Sequence, residues 1–289
     1  MRRLIYSIFF IFFLSPSNNI YAACSGSDCC TVTSGVVTWP DNSSCALEPD
    51  AYSISMYNMY LCTSAPSAPT TSSATGYTAA GCVLVLDASA GSSISITPGG
   101  NAQAFSGANF IRPPNNTYTH GVMLIDNVFY ITLDRQFDTS ITGGSSGTGA
   151  YCATIAGSAD ETTGGSMVCS ASDNLTAGAW GAVLTSFNGL SSFLTSVSAS
   201  NLNGTGASIS GHLVNSSEQI AASRATVDKL VGIQTFATPV VIEKTFRGLD
   251  VAFGINQGTT CWDDSGGEGN TIECGSGPFQ AIITPLNYE

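Results

Sequence analysis

The chain has 289 residues, of which only 10% are charged, and its net charge is -12 at pH 7. A surface of this kind repels phosphate backbones, so the composition argues against nucleic acid as a partner. The length allows one large β domain or two smaller ones.

Residues 1–22 have the pattern of a secretory signal peptide. Arg2 and Arg3 form a charged start, residues 4–14 are apolar, and a small residue, Ala22, stands at the exit. The apolar run is too short to span a bilayer as a helix, and no later run is long enough. We therefore expect a secreted, periplasmic or cell-surface protein that has no transmembrane span once the signal is removed.

Cleavage one residue later, after Ala23, would leave Cys24 as the first residue. In that alternative, Cys24 would carry a lipid anchor. Tyr21 argues against it, because lipoprotein signals usually carry an aliphatic residue at that position.

All ten cysteines follow the predicted cleavage point, and an even number in an exported chain predicts up to five disulfides. Short spacings favour three local pairs: Cys62 with Cys82, Cys152 with Cys169, and Cys261 with Cys274. The remaining cysteines would then pair among themselves: Cys24, Cys29, Cys30 and Cys45. Paired CxxC motifs are absent, so a zinc site is not expected.

The segment 23–135 is predicted to form an N-terminal β-sandwich-like domain. Apolar residues alternate from Tyr52 to Leu61 in a way that predicts a strand buried on both faces, with Tyr52, Ile54, Met56 and Tyr60 on one side and Tyr57, Met59 and Leu61 on the other. Further strands are predicted at 82–87, 92–97, 118–125 and 128–133. Turn residues rich in Gly, Pro and Asn separate them, which is typical of an antiparallel sandwich.

The segment 136–289 is predicted to form a C-terminal β-rich domain with one short helix. Ser216 to Gln219 reads as a capping box, and apolar residues follow at helical spacing, so we predict a helix near 217–231. Residues 183–197 are ambiguous between helix and strand. Strands are predicted at 240–242, 249–255 and 279–283. The predicted fold class is mainly β, an antiparallel sandwich-like architecture of one or two units.

The motif with the most specific functional signal runs from Cys261 to Cys274 and has the sequence CWDDSGGEGNTIEC. Its Asp-Ser-Gly-Gly core resembles the nucleophile loop of chymotrypsin-like proteases, and the resemblance would make Ser265 the nucleophile. Asp263 replaces a glycine of that motif, however, and Glu268 replaces its proline. Neither His120 nor His212 has the sequence setting of that family's catalytic base, so catalysis at this loop is disfavoured.

Two other interpretations of the same motif remain. Oxygen ligands for calcium would come from Asp263, Asp264, Glu268, Asn270 and Glu273. A sugar-binding site would use Trp262 as a stacking platform beside Asp263, Asp264 and Glu268. The simplest alternative is a solvated hairpin loop closed by the disulfide, because turns of any function use acidic and glycine residues.

Low charge, abundant Ser, Thr and Gly, and few catalytic residue types favour a non-enzymatic role. We predict an exported, disulfide-stabilised β protein that acts as a structural or adhesion component at the cell surface or outside the cell. Its partners would be further copies of itself or other surface proteins, reached through an uncovered sheet edge. No cofactor is expected for this role. The first alternative is a lectin-like module that binds glycans, either without a cofactor or with the assistance of calcium. The second is a secreted hydrolase.

Overall fold

The computed structural model describes residues 29–39, 44–98, 107–160, 165–188, 192–202, 206–264, 270–277 and 279–287. Strands account for 62% of the structure and helical turns for 1%. The predicted signal peptide and Cys24 lie outside the described residues.

Short and long strands follow one another along the described chain. In chain order they are β1 (Thr31–Thr33), β2 (Val36–Thr38), β3 (Ser44–Leu47), β4 (Ala51–Cys62), β5 (Cys82–Ile96), β6 (Asn109–Phe110), β7 (Asn116–Asp126), β8 (Val128–Thr132), β9 (Asp134–Gly143), β10 (Thr148–Thr154), β11 (Gly157–Asp160), β12 (Met167–Ser170), β13 (Trp180–Val183), β14 (Ser196–Leu202), β15 (Ala207–Val214), β16 (Lys229–Ile242), β17 (Phe246–Gly254), β18 (Thr259–Asp263), β19 (Thr271–Ser276) and β20 (Gln280–Asn287).

These strands form two large sheets and a ribbon. The eight-stranded sheet has the order β1-β2-β9-β19-β18-β3, with β10 and β12 attached through β9. The ten-stranded sheet has the order β11-β13-β8-β4-β7-β16-β15-β14, with β5 and β6 attached through β4. Strands β17 and β20 pair as the ribbon. Most pairs are antiparallel, and the mainly β, sandwich-like class is confirmed.

One large apolar core joins all three sheets. Phe137 and Ile272 reach it from the eight-stranded sheet, Tyr52 and Leu61 from the ten-stranded sheet, and Phe253 from the ribbon. We call the side of the ten-stranded sheet that faces this cluster its core face, and the opposite side its outer face.

The sequence predicts a domain boundary near residue 136, but in the structure a strand runs through this position. Residue 136 lies inside β9, which pairs with β2 on one side and β10 on the other. Both large sheets contain strands from before and after this point, since β18 pairs with β3 and β16 pairs with β7. The division into 23–135 and 136–289 therefore does not coincide with a division between sheets.

Strand β4 is buried as its alternation predicts, but the predicted division of its faces is wrong. The register shifts between Met56 and Asn58, which marks a β-bulge. Because a bulge inserts one residue, Met59 and Leu61 join Met56 on the core face. Tyr60 joins Tyr57 on the outer face instead.

The predicted helix near 217–231 is wrong. The side chain of Asn215 accepts hydrogen bonds from the main chain of Ser217 and Gln219, so this segment forms an Asx turn. One 3-10 turn follows at Arg224–Thr226, and β16 begins at Lys229. Leu230 and Val231 point to opposite faces of β16, which pairs on both sides with β7 and β15. These long-range ladders outweigh the local helical spacing.

The outer face of the ten-stranded sheet carries a second, smaller core. Val122, Leu124 and Val231 form its floor, and Tyr77 and Ala80 cover it from the segment 63–81 that connects β4 to β5. Tyr77 stacks on Tyr60 with ring centroids 4.3 Å apart. This covering segment also forms one wall of a groove on the outer face.

Four disulfides join described cysteines: Cys30–Cys45, Cys62–Cys82, Cys152–Cys169 and Cys261–Cys274. Three of these are the local pairs that the spacings favoured. Each of those three joins directly opposed residues of neighbouring antiparallel strands. Cys29 is disulfide-bonded as well.

Candidate functional site

The acidic motif forms the β18–β19 hairpin, and its loop residues 265–269, which include Ser265 and Glu268, lie outside the described residues. Trp262 stands opposite Glu273, and Asp263 stands opposite Ile272. Opposed residues share a face and successive residues alternate. Trp262 and Glu273 therefore share one face of the hairpin, whereas Asp263 lies on the other.

The carboxylate of Glu273 is hydrogen-bonded to another segment of the same chain. It accepts hydrogen bonds from the main-chain N–H of Ser166 at 2.6 Å and from the Ser166 hydroxyl at 2.7 Å. The same hydroxyl accepts a bond from the main-chain N–H of Cys274 at 2.8 Å. Burial raises the pKa of Glu273, and the bonds from Ser166 offset part of that rise. This carboxylate therefore holds the segment before β12 against the hairpin.

Among the other predicted calcium ligands that the structure describes, Asp263 lies on the opposite face from Glu273, whereas Asp264 lies near enough for its charge to add to the rise in the pKa of Glu273. Asp263 accepts a hydrogen bond from the main-chain N–H of Thr271 at 3.1 Å, Asp264 is exposed, and Asn270 is half-buried. Within the described ranges, no group of three or more His, Cys, Asp or Glu side chains is placed to hold a metal ion. The calcium site that includes Glu268 stays a prediction.

The three tryptophans occupy different environments. Trp39 is buried and packs edge-on against Phe137, and Trp180 is buried in the same core. Trp262 is half-buried on the hairpin, close to the Cα of Gly275. Only Trp262 therefore retains the exposure that a sugar-stacking platform needs.

The two histidines lie on the outer face of the ten-stranded sheet and bond to hydroxyls. Nδ1 of His212 lies 3.0 Å from the Ser196 hydroxyl, and its Nε2 lies 3.1 Å from the Ser210 hydroxyl. Nδ1 of His120 lies 2.8 Å from the Thr119 hydroxyl. Burial lowers the pKa of both imidazoles, which favours their neutral forms. Among the described residues, no carboxylate hydrogen-bonds to either ring, so a Ser-His-Asp constellation is not formed there.

A groove of about 380 Å³ opens beside His120. We call it the hydroxyl groove and define it by Ser198, Ser200, Ser208, Ser210, Thr235 and His120. Four of these form one cross-strand row, in which Ser200, Ser208, Thr235 and His120 are successive partners on β14, β15, β16 and β7. The opposite wall comes from the covering segment and contains Ala65, Pro66 and Ala68.

The last strand of the ten-stranded sheet, β14, is the second candidate feature. It pairs with β15 on one side, and no described strand pairs with its other side. Its sequence, SVSASNL, contains no charged residue and no proline. Phe193, Leu194 and Val197, which we call the β14 apolar patch, are 37%, 42% and 44% exposed beside it.

Sequence reasoning missed both of these features. The alternation of Ser196, Ser198 and Ser200 was visible, as was the absence of Asp, Glu, Lys and Arg from residues 174–217. The partners that complete the groove, His120 and Thr235, are distant in sequence and become neighbours only through strand pairing. No helix in the described ranges is both long and apolar enough to cross a membrane.

Comparison with known proteins found no matching family model, no matching curated protein and no matching solved structure.

Proposed function

We propose that this protein is a structural component of the cell surface or extracellular space, and that its copies associate through the edge of β14 that pairs with no described strand. A β-rich fold joined by disulfides is compatible with an extracellular, disulfide-stabilised protein. The observation that carries the proposal is the uncharged outer edge of β14.

A free strand edge presents unpaired N–H and C=O groups that can hydrogen-bond to another strand. Monomeric proteins usually protect such edges with Lys, Pro, bulges or a covering element. In β14 none of the residues from Ser196 to Leu202 is charged, and none is proline. The strand has one irregularity, a register shift between Ser200 and Leu202. Its first part, Ser196–Ser200, has no charge, no proline and no register shift, so these protections are missing there.

The apolar patch at the start of β14 supports the same conclusion. Phe193, Leu194 and Val197 are three large apolar side chains exposed within five residues of chain. Pairing of a further strand with β14 would extend the sheet past this patch and remove part of it from water. Burial of apolar area stabilises such an association by roughly 25 cal/mol per Å².

The absence of charge around this edge permits a second copy as its occupant. Each copy carries a net charge of -12, so two copies must meet where acidic groups are absent. Residues 174–217, which contain β14, carry none. An antiparallel pair of β14 strands centred on Ser198 would place Val197 opposite Ala199 of the second copy and would bury no charge. Such a two-fold contact uses the same patch on both copies.

The substitution Val197→Lys tests the proposal, because a lysine on an edge strand opposes pairing with another chain. We expect the wild-type protein to sediment as a dimer or a larger species and the variant to sediment as a monomer with an unchanged circular dichroism spectrum. Analytical ultracentrifugation over a concentration series measures the effect.

Val32→Lys is the matched control. Val32 is 50% exposed on β1, which ends the eight-stranded sheet, and the substitution changes the charge by the same amount. This control should associate like the wild type. A wild-type protein that stays monomeric at every concentration, or equal loss of association in both variants, would overturn the proposal.

A further inference from the structure

The hydroxyl groove has the size and the polar lining of a ligand site. Its volume of about 380 Å³ lies within the range of small-molecule pockets, roughly 300–1,000 Å³. Four serine side chains and Thr235 line it, and each hydroxyl can donate one hydrogen bond and accept others. Such a lining suits a ligand that itself carries many hydroxyl groups.

The hydrogen bonds of Thr119 determine which nitrogen of His120 is available in this groove. The Thr119 hydroxyl donates its only proton to the main-chain oxygen of Thr63 at 3.0 Å. It must therefore accept a proton from Nδ1 of His120, 2.8 Å away. In the neutral ring this leaves Nε2 as an acceptor, and Nε2 has no hydrogen-bond partner among the described residues. The groove therefore contains a hydrogen-bond acceptor, Nε2 of His120, in addition to the hydroxyl groups.

The lining of the groove is uncharged. None of the residues that line it is Asp, Glu, Lys or Arg, and Glu218, which bonds to Tyr77 of the covering segment, is not among them. The lining therefore offers no cation to pair with an anionic ligand and no carboxylate to pair with a cationic one. The ligand that fits is neutral.

Apolar atoms complete the lining. Ile233 lies in the floor and Pro66 in the wall contributed by the covering segment. Sugar rings present C–H faces between their hydroxyls, so a mixed lining of hydroxyls and aliphatic side chains matches them on both counts. We infer that the hydroxyl groove binds a neutral, polyhydroxylated ligand of the uncharged glycan class, with Nε2 of His120 accepting a ligand hydroxyl. This site is separate from the Trp262 hairpin and does not depend on self-association.

The protein has only two histidines, which makes the test direct. The protein is labelled with nitrogen-15 at histidine in the Val197→Lys background, so that association through β14 does not interfere. The probes are the neutral hexasaccharides maltohexaose, cellohexaose and laminarihexaose. We expect at least one of them to shift the Nε2 resonance of His120 saturably. The resonances of His212 should move less, because both of its ring nitrogens already bond to serines.

Two variants locate the site. Ser208→Phe fills the groove and should abolish the shift of His120. Ser93→Phe makes the same change at an exposed serine of β5 outside the groove lining and should leave the shift intact. Hexagalacturonate, an acidic hexasaccharide, should not bind. Failure of all three neutral probes, equal binding of the acidic one, or an unchanged shift in Ser208→Phe would overturn the inference, whatever the ultracentrifuge shows for the proposed function.

Discussion

At the scale of single residues, Glu273 shows how its neighbours determine what a carboxylate does. The sequence places it among five oxygen ligands suited to calcium, but strand alternation separates it from Asp263. Ser166 supplies two short hydrogen bonds to it, and the side chain is only 7% exposed. A buried carboxylate that accepts such bonds stabilises a local contact, and its protonation is linked to stability.

Glu273→Gln tests this linkage. The folded-state pKa of Glu273 is raised above its ordinary value of 4.5, chiefly by burial. The folded protein therefore holds the proton more tightly than the unfolded chain does. The stability that this group contributes is fully present below about pH 4.5 and is lost as the pH rises through the folded pKa. Glutamine does not titrate, so the free energy of unfolding of the variant should rise relative to that of the wild type across this range.

Urea unfolding at several pH values between about 4 and 7 measures the difference. Glu243→Gln is the control, because it removes an equal charge from an exposed position. A difference between Glu273→Gln and the wild type that does not change with pH, or that changes equally in the control, would contradict the assignment of Glu273 as a buried titrating group.

At the scale of elements, the disulfide Cys62–Cys82 holds the covering segment 63–81 on the outer face. The two cysteines are opposed residues of β4 and β5. Inside the segment, the main-chain N–H of Gly76 donates to Ser67, and Thr70 accepts a main-chain bond from Ile220. These contacts form one wall of the hydroxyl groove, so the disulfide supports the groove as well as the fold.

The double variant Cys62→Ala and Cys82→Ala should loosen this segment. Loss of a disulfide that closes a loop of this size costs about 2–4 kcal/mol of stability, mainly because the unfolded chain gains freedom. Amide hydrogen exchange should accelerate at Gly76 and at Ile220.

The double variant Cys30→Ala and Cys45→Ala removes a disulfide of similar span from the other large sheet. It should cost a similar free energy but leave exchange at Gly76 and Ile220 slow in the folded state. Unchanged exchange in the first variant, or equal acceleration in both, would show that the covering segment does not depend on its own disulfide.

At the scale of the whole molecule, the net charge of -12 opposes any association of identical copies. In the proposed association, the uncharged run 174–217 would let two copies meet without direct contact between carboxylates. The long-range repulsion between the remaining acidic surfaces persists, and salt screens it over a Debye length of about 10 Å at 0.1 M.

Added sodium chloride should therefore strengthen the association through β14. Sedimentation of the wild type should shift toward the dimer or larger species as salt rises, and the dissociation constant should fall. The Val197→Lys variant should remain monomeric at each salt concentration, since its defect lies in strand pairing. A wild-type association that weakens with salt would indicate a contact held together by opposite charges, and the proposed β14 contact contains none.

The strands that dominate this protein could be read from local alternation and turn residues. Strand β4 and strands β7 and β8 lie where the sequence predicts them, because a period of two and a flanking turn are properties of a few adjacent residues. The local disulfide pairs follow for a similar reason, since short loops bring those cysteines together in hairpins. The error at 217–231 arose where local spacing and long-range pairing disagree, and β16 follows the pairing.

The sequence by itself therefore determined the mainly β class, the even number of cysteines that predicts disulfides, and the positions of the uncharged segments. Tertiary structure alone decided which strands pair, that β9 continues through residue 136, and that Asp263 and Glu273 point apart. It also brought Thr235 between His120 and Ser208 and left β14 at the end of the described sheet. The physical reason is that strand pairing joins residues far apart in the chain, so the choice of partner depends on the burial of the whole core and not on any one segment.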